Sequence, residues 1–430
     1  LGIATYDAQQ VLLPVWDADL LPFFLMKTLF HSFRLLLLAG LLVGSLSNCR
    51  RTSEDPQPTQ TSGQDLFVSA QAIGTVPKLQ LQTFATLAGF GAFTSQLKYD
   101  ATYYRFLYKT TYKGQLIQVS GLLGVPLNTP KPPALLSAQH GTMFRQAESP
   151  SNFPSTFTGF ELFASAGFVT VIPDFIGLGA SSNVVQPYFD KATSANTVVD
   201  MLKAVQYFLQ QQSIATSKNL FLIGYSEGGY VTMAAQQEIE TNATHQLTLT
   251  AAAAGAGGYD LPGMLGGIAA TPTYATPSFL ALLLQGYNAT YGWNRPLTDF
   301  FQAPYAARMP ALLDGTKDRA TIDAQLTTSP TALFTPAFYT ALGSASGELV
   351  LKQQLADNSF NTWVPRSPTR LYHGTADESV FYQTSASTYA RFQAAGATNV
   401  TFIPIPGGTH TTSILPMMAD ALPWLQSLDK

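Results

Sequence analysis

Between residues 101 and 126 the chain alternates apolar and polar positions, in "ATYYRFLYKTTYKGQLIQVSGLLGVP", about a Lys113-Gly114 turn. A period of two sends successive side chains to opposite faces of an extended backbone, so this stretch predicts a β-hairpin. Further on the pattern changes. "ALLSAQ" (134–139), "FVTVIP" (168–173) and "LFLI" (220–223) are short, unbroken apolar runs. Between the last two, "ANTVVDMLKAVQYFLQQQ" spaces Val198, Met201, Leu202, Val205, Phe208 and Leu209 along one helical face. Strands apolar on both faces, alternating with helices, predict a mostly parallel sheet covered on both sides. Ahead of the hairpin, "LQTFATLAGFGAFTSQL" reads as a small helical segment.

After Asp260 the alternation stops and resumes near Pro365. The intervening "SFLALLLQGYNATYGW", "LTDFFQAPYAARMPALLDG" and "PTALFTPAFYTALGSASGELVLKQQL" predict helices rich in Leu, Phe, Tyr and Ala and poor in charge. They define an expected helical cap over 262–364, inserted in a core formed by 76–261 and 365–430. Most of that apolar surface is expected to pack the cap on the core; a share facing a cleft would line an apolar pocket.

The first 75 residues carry no such pattern. From Met26, Lys27 and Arg34 precede a short apolar stretch, Leu35 to Val43, and small polar residues then lead to Cys49. The stretch is short for a membrane span and reads as an export signal over 26–49. "LSNC" resembles the lipobox of bacterial lipoproteins, although Asn48 departs from the usual small residue; the resemblance implies acylation of Cys49 and a membrane anchor. Residues 1–25, upstream of the expected start at Met26, are read as a gene-start artefact. The polar run "RRTSEDPQPTQTSGQD" predicts a flexible tether over 50–75.

Composition narrows the chemistry. At 430 residues the chain exceeds the usual single domain, which suits one large α/β domain with an insertion. A net charge of −3 offers no basic stripe for nucleic acid. A single cysteine excludes a disulfide framework within the chain and a cysteine-based metal site. With no H-E-x-x-H, no phosphate-binding loop and no strand-linked G-x-G-x-x-G, no cofactor or metal is expected.

One motif interrupts the apolar pattern at an informative place. In "FLIGYSEGGYVTM" an apolar strand pinches at Gly224 and a helix follows, with Ser226 in the pinch. A sharp strand-to-helix turn crowds the backbone, and Gly224 and Gly228 relieve the crowding. The Ser226 hydroxyl then stands above a helix N-terminus, where the Glu227 N–H can face a developing oxyanion. This G-x-S-x-G arrangement is the nucleophile elbow of the α/β-hydrolase fold, in which an Asp or Glu and then a His follow the serine in the chain. Of the five histidines, His31 lies in the export signal, and His140, His245 and His373 come too early to close such a triad. His410 follows an apolar strand, sits in a Gly-rich loop and precedes a closing helix. For the acid, "HGTADESV" resembles the G-x-x-D-x-x-V pattern of this fold and puts Asp377 on the turn after a strand, with Glu378 as its competitor. His410 would remove the Ser226 proton while Asp377 holds the imidazole.

The motifs "SAQHGT", "VIPDFIGLGAS", "GYSEGG", "AAAAGAGGYDL" and "RLYHGTADESVF" together resemble the bacterial secretory-lipase branch of the α/β-hydrolases, over about 135 to 410. By analogy with H-G-x hydrolases, the second oxyanion donor is the N–H of Thr142, with Gly141 and Met143 as alternatives. Asp174 is expected to tie down its own loop by local hydrogen bonds, and His140 to be structural. Glu227 stands where many of these enzymes carry Gln, Met or Gly; pointing into the pocket, it would disfavour anionic substrates such as free fatty acids. The resemblance implies an ester hydrolase acting on lipid or other apolar esters. Alternatives are a glycan acetyl or feruloyl esterase or polyester hydrolase, a serine peptidase, and a non-catalytic binding protein that keeps the fold.

Overall fold

The computed structural model describes residues 62–430. The expectations for 1–25, for the export signal and for Cys49 lie outside the described residues. The expected tether is corrected at its C-terminal end. Ser62 caps a helical turn, Gly63–Leu66, and Phe67–Val76 forms a first strand, β1. β1 pairs antiparallel with β2 (Ala101–Tyr112). It lies at the edge of the sheet with many side chains in water, so its sequence lacks the apolar stretches of the central strands. Its anchor is Phe67, packed on Phe106 and Phe208 with ring centroids at 5.5 and 5.8 Å.

Seven more strands complete the sheet: β3 (Gln115–Pro126), β4 (Leu135–Gln139), β5 (Val169–Pro173), β6 (Leu220–Tyr225), β7 (Ala251–Gly255), β8 (Thr369–Gly374) and β9 (Val400–Ile405). Their order is β1-β2-β3-β5-β4-β6-β7-β8-β9. The β1–β2, β2–β3 and β3–β5 pairs are antiparallel; every pair from β5 to β9 is parallel.

Alternation along the central strands feeds two cores. Leu220 and Leu222 of β6 and Ala252 and Ala254 of β7 face one side; Phe221, Ile223, Ala251 and Ala253 face the other. The first side is covered by α2 (Lys191–Gln211) and α3 (Glu227–Thr241). The second is covered by residues of α1 (Lys78–Leu87) and of the closing helix Ile414–Leu428, including Met417, Met418, Leu422 and Leu425. Both faces of the parallel strands are therefore dry, which is why their sequences are unbroken apolar runs.

Between β7 and β8 the chain runs through helices, among them α4 (Leu261–Ala270), α5 (Pro277–Thr290), α6 (Tyr305–Leu312), α7 (Pro336–Gly343) and α8 (Leu349–Asp357). Phe300, Phe301, Phe334 and Phe338 pack edge to face or stacked at 5.2–6.2 Å. Arg295 grips Glu348 through two hydrogen bonds of 2.7 and 3.0 Å and lies over the Phe300 ring. Among the described residues no helix is long and apolar enough to cross a membrane.

Candidate active site

β4 sits between β5 and β6, so the connections leaving β4 and β5 diverge at its carboxyl end. Ligands of open α/β sheets bind at such a switch point. The turn after β6 and the loop after β4 meet there. Ser226, between β6 and α3, has φ 61° and ψ −125°, a region that L-residues avoid. Its amide donates to Gly255 O at the end of β7, at 2.8 Å, which holds the strained turn. A Cβ on Gly228 would lie 1.9 Å from Gln139 O, and one on Gly224 would lie 2.2 Å from Gly228 O. Glycine at these positions is a matter of volume: the elbow is pressed against the end of β4.

The turn lifts the Ser226 hydroxyl to His410 Nε2, at 2.8 Å. His410 lies in the loop after β9, and its Nδ1 meets Asp377 Oδ2 at 2.7 Å. Asp377 follows β8. Its Oδ1 accepts the N–H groups of Ser379 and Val380, each at 2.9 Å. Hydrogen bonds from His373 and His410, opposed by burial, hold its carboxyl well below the usual carboxylate range. Glu378 takes a different part: its carboxylate accepts the His410 amide at 3.3 Å. The Tyr225 hydroxyl donates to His410 O at 2.7 Å and fixes that loop from below. Hydroxyl, imidazole and carboxylate thus form one hydrogen-bonded chain, able to draw a proton from the hydroxyl as it attacks.

Glu227 opens α3, so its N–H belongs to the first turn, where helix amides have no intrahelical acceptor. Among the described residues neither this N–H nor that of Thr142 has an acceptor. Gly141 lies against the elbow, with its Cβ position 3.6 Å from Ser226 Cβ. The Thr142 hydroxyl bonds to the Tyr188 hydroxyl at 3.0 Å and to the Glu227 side chain. Burial pushes the Glu227 carboxyl up to about 8, against the pull of that hydrogen bond. Burial thus favours the uncharged form of this carboxyl, which works against the expectation that it repels anions.

Asp174 bonds outside its own loop. It reaches the Ser120 hydroxyl of β3 at 2.5 Å and the Ser151 amide at 2.8 Å. His140 stacks on Phe175 at 4.1 Å, buried beside Asp174. His245 pairs with Glu238 at the end of α3. His373 is placed otherwise than its early position suggests: it does not touch Ser226, yet its Nε2 is 3.2 Å from Asp377 Oδ2. Its sequence signal was its place four residues before Asp377, at the end of the same strand.

The model of the secretory lipase family matches residues 158–428, which carry Ser226, Asp377 and His410. The chain belongs to the secretory lipase family. It is a carboxylic-ester hydrolase of the α/β-hydrolase fold, and the family is one of exported proteins. Solved structures share that fold. A Legionella pneumophila protein is 22% identical, covers 85% of this chain and 98% of its own, and superposes with a TM-score of 0.78. The rice cell wall degrading esterase LipA of Xanthomonas oryzae is 22% identical over 86% of this chain and 98% of its own, with a TM-score of 0.73. Lipase A of Candida antarctica in its closed state is 17% identical over 87% and 85%, with a TM-score of 0.61. At these identities they establish the fold alone. No curated protein sequence matches the chain.

Proposed function

We propose that this secretory lipase cleaves apolar esters through an acyl-enzyme on Ser226. The observation that carries the reading is the 2.8 and 2.7 Å chain from Ser226 Oγ through His410 to Asp377. Ser226 Oγ attacks the ester carbonyl as its proton passes to His410 Nε2, and the carbonyl oxygen becomes an oxyanion. The N–H groups of Glu227 and Thr142, beside Gly141, receive that charge. Collapse expels the alcohol, which takes the proton back from His410, and water then repeats the sequence to release the acid. Asp377 holds the Nδ1–H tautomer and stabilises the imidazolium.

The helices of 262–364 act in this reading as a cap over the cleft, and 76–261 with 365–430 as the core that holds the chemistry. Their apolar composition supports lipid or another apolar ester as substrate. Acylation of Cys49 would tether the exported protein to the cell envelope. The experiment is covalent labelling with a fluorophosphonate. The reagent is expected to mark Ser226, and Ser226→Ala to abolish both labelling and turnover. Turnover above background in that variant would refute the mechanism.

A further inference from the structure

His373 is fully buried at the end of β8, and the mechanism above does not use it. Its Nε2 lies 2.8 Å from Val380 O. A carbonyl oxygen only accepts, so Nε2 carries the proton. Nδ1 then faces the Ser385 hydroxyl of α9 (Gln383–Ala394) at 2.6 Å. The same Nε2 lies 3.2 Å from Asp377 Oδ2, the oxygen that also meets His410. Val380, whose carbonyl takes one arm of this contact, also donates its amide to Asp377 Oδ1. The ring therefore bolts the 377–380 turn to β8 on one side and to α9 on the other.

Resting on the proposed roles of Ser226, His410 and Asp377, we infer that His373 is a positioning residue for the reaction. It fixes the rotation of the Asp377 carboxylate, and through it the register of the His410 imidazole against Ser226. A carboxylate free to turn would lose the straight line to Nδ1, and a misplacement of about 1 Å in such a relay costs on the order of 100-fold. Several titratable groups face this pair, among them Tyr274, which donates to Ser379 O at 2.8 Å. Glu378 accepts the His410 amide, Tyr225 approaches the His410 ring at 5.5 Å, and Tyr382 meets the His373 ring edge to face at 5.8 Å.

The test compares three variants in steady-state kinetics on a p-nitrophenyl ester. His373→Phe keeps ring volume and removes the donor; its kcat is expected to fall about 10- to 100-fold with KM within about twofold of the parent. A loosened carboxylate stabilises the His410 imidazolium less, so the acid limb of kcat/KM moves to lower pH. His373→Gln, which offers an amide N–H near the Nε2 position, is expected to restore most of the loss. Ser385→Ala leaves the imidazole without its anchor and is expected to move kcat and the limb in the same direction, by less. Parental kcat and acid limb in His373→Phe overturn the inference, as does lost kcat with an unmoved limb or a Gln variant no better than Phe. Should the Phe variant fail to fold, Ser385→Ala decides alone: an unchanged limb and kcat there are fatal. Ser226→Ala run in parallel separates the two readings, because an inert Ser226→Ala beside a parental His373→Phe sinks only the positioning role.

Discussion

In the proposed mechanism Glu227 combines two separable roles in one residue. Its backbone N–H needs the helix start, while its side chain is a buried acid whose carboxyl is pushed up to about 8. An unfolded glutamic acid titrates at about 4.3. Between those values the unfolded chain has released a proton that the folded chain retains, so stability falls as pH rises across the window. Glu227→Gln keeps the amide and removes the penalty. Its stability gain over the parent is expected to grow from about pH 5 to about pH 8, by a few kcal/mol at most, in denaturant melts. Above about pH 8 an ionised Glu227 would oppose the oxyanion beside it, so the parent should show an alkaline loss of activity that the variant lacks. A stability difference that stays constant with pH would mean that the site accommodates the charge. None of this was legible from composition, because a glutamate beside a nucleophile looks charged until its burial is known.

At the scale of elements, the elbow is a close approach of α3 to the end of β4. Gly228→Ala drives a methyl group to within 1.9 Å of Gln139 O, a backbone atom that cannot step aside alone. Loss of about 1–3 kcal/mol is expected, together with slower phosphonate labelling as the helix start and its amides are displaced. Gly266, in the middle of α4, has no atom within 4 Å of its Cβ position, so Gly266→Ala serves as the matched control and should be neutral or stabilising by up to about 1 kcal/mol. Equal effects at the two sites would deny the elbow its steric basis. The same scale shows what sequence can convey. The runs at 134–139, 168–173 and 220–223 announce β4, β5 and β6 because both faces of each are dry. β7, "AAAAG", is buried throughout yet begins with four alanines, the strongest helix former; its neighbours make it a strand. β1 is hidden for the opposite reason, being half in water. Likewise Ser226 announces itself by local glycines, whereas the contact of His373 with Asp377 depends on how the loop after β8 curls back.

The whole molecule holds its reactive groups almost out of solvent: Ser226 and His410 are only 6% and 8% exposed. Elsewhere, Tyr188, Phe189, Leu261, Met264, Tyr274 and Phe279 line an apolar cavity of about 20 Å³, too small for an acyl chain. If the helices of 262–364 move so that this cavity widens, p-nitrophenyl esters of medium-chain acids will be turned over as well as acetate. A sharp fall after acetate would instead favour a deacetylase. Held below the usual carboxylate range, Asp377 should be among the last carboxylates that acid reaches. The Asp377 carboxylate offers about four lone-pair directions. Amides of Ser379 and Val380 and the imidazole of His410 take three, and His373 Nε2 lies 3.2 Å from Oδ2. A proton arriving on either oxygen would crowd the donors already there. Activity would already have faded along the acid limb; protonating this group would then release the turn and remove a share of the folding energy, progressively, as pH falls through its depressed titration.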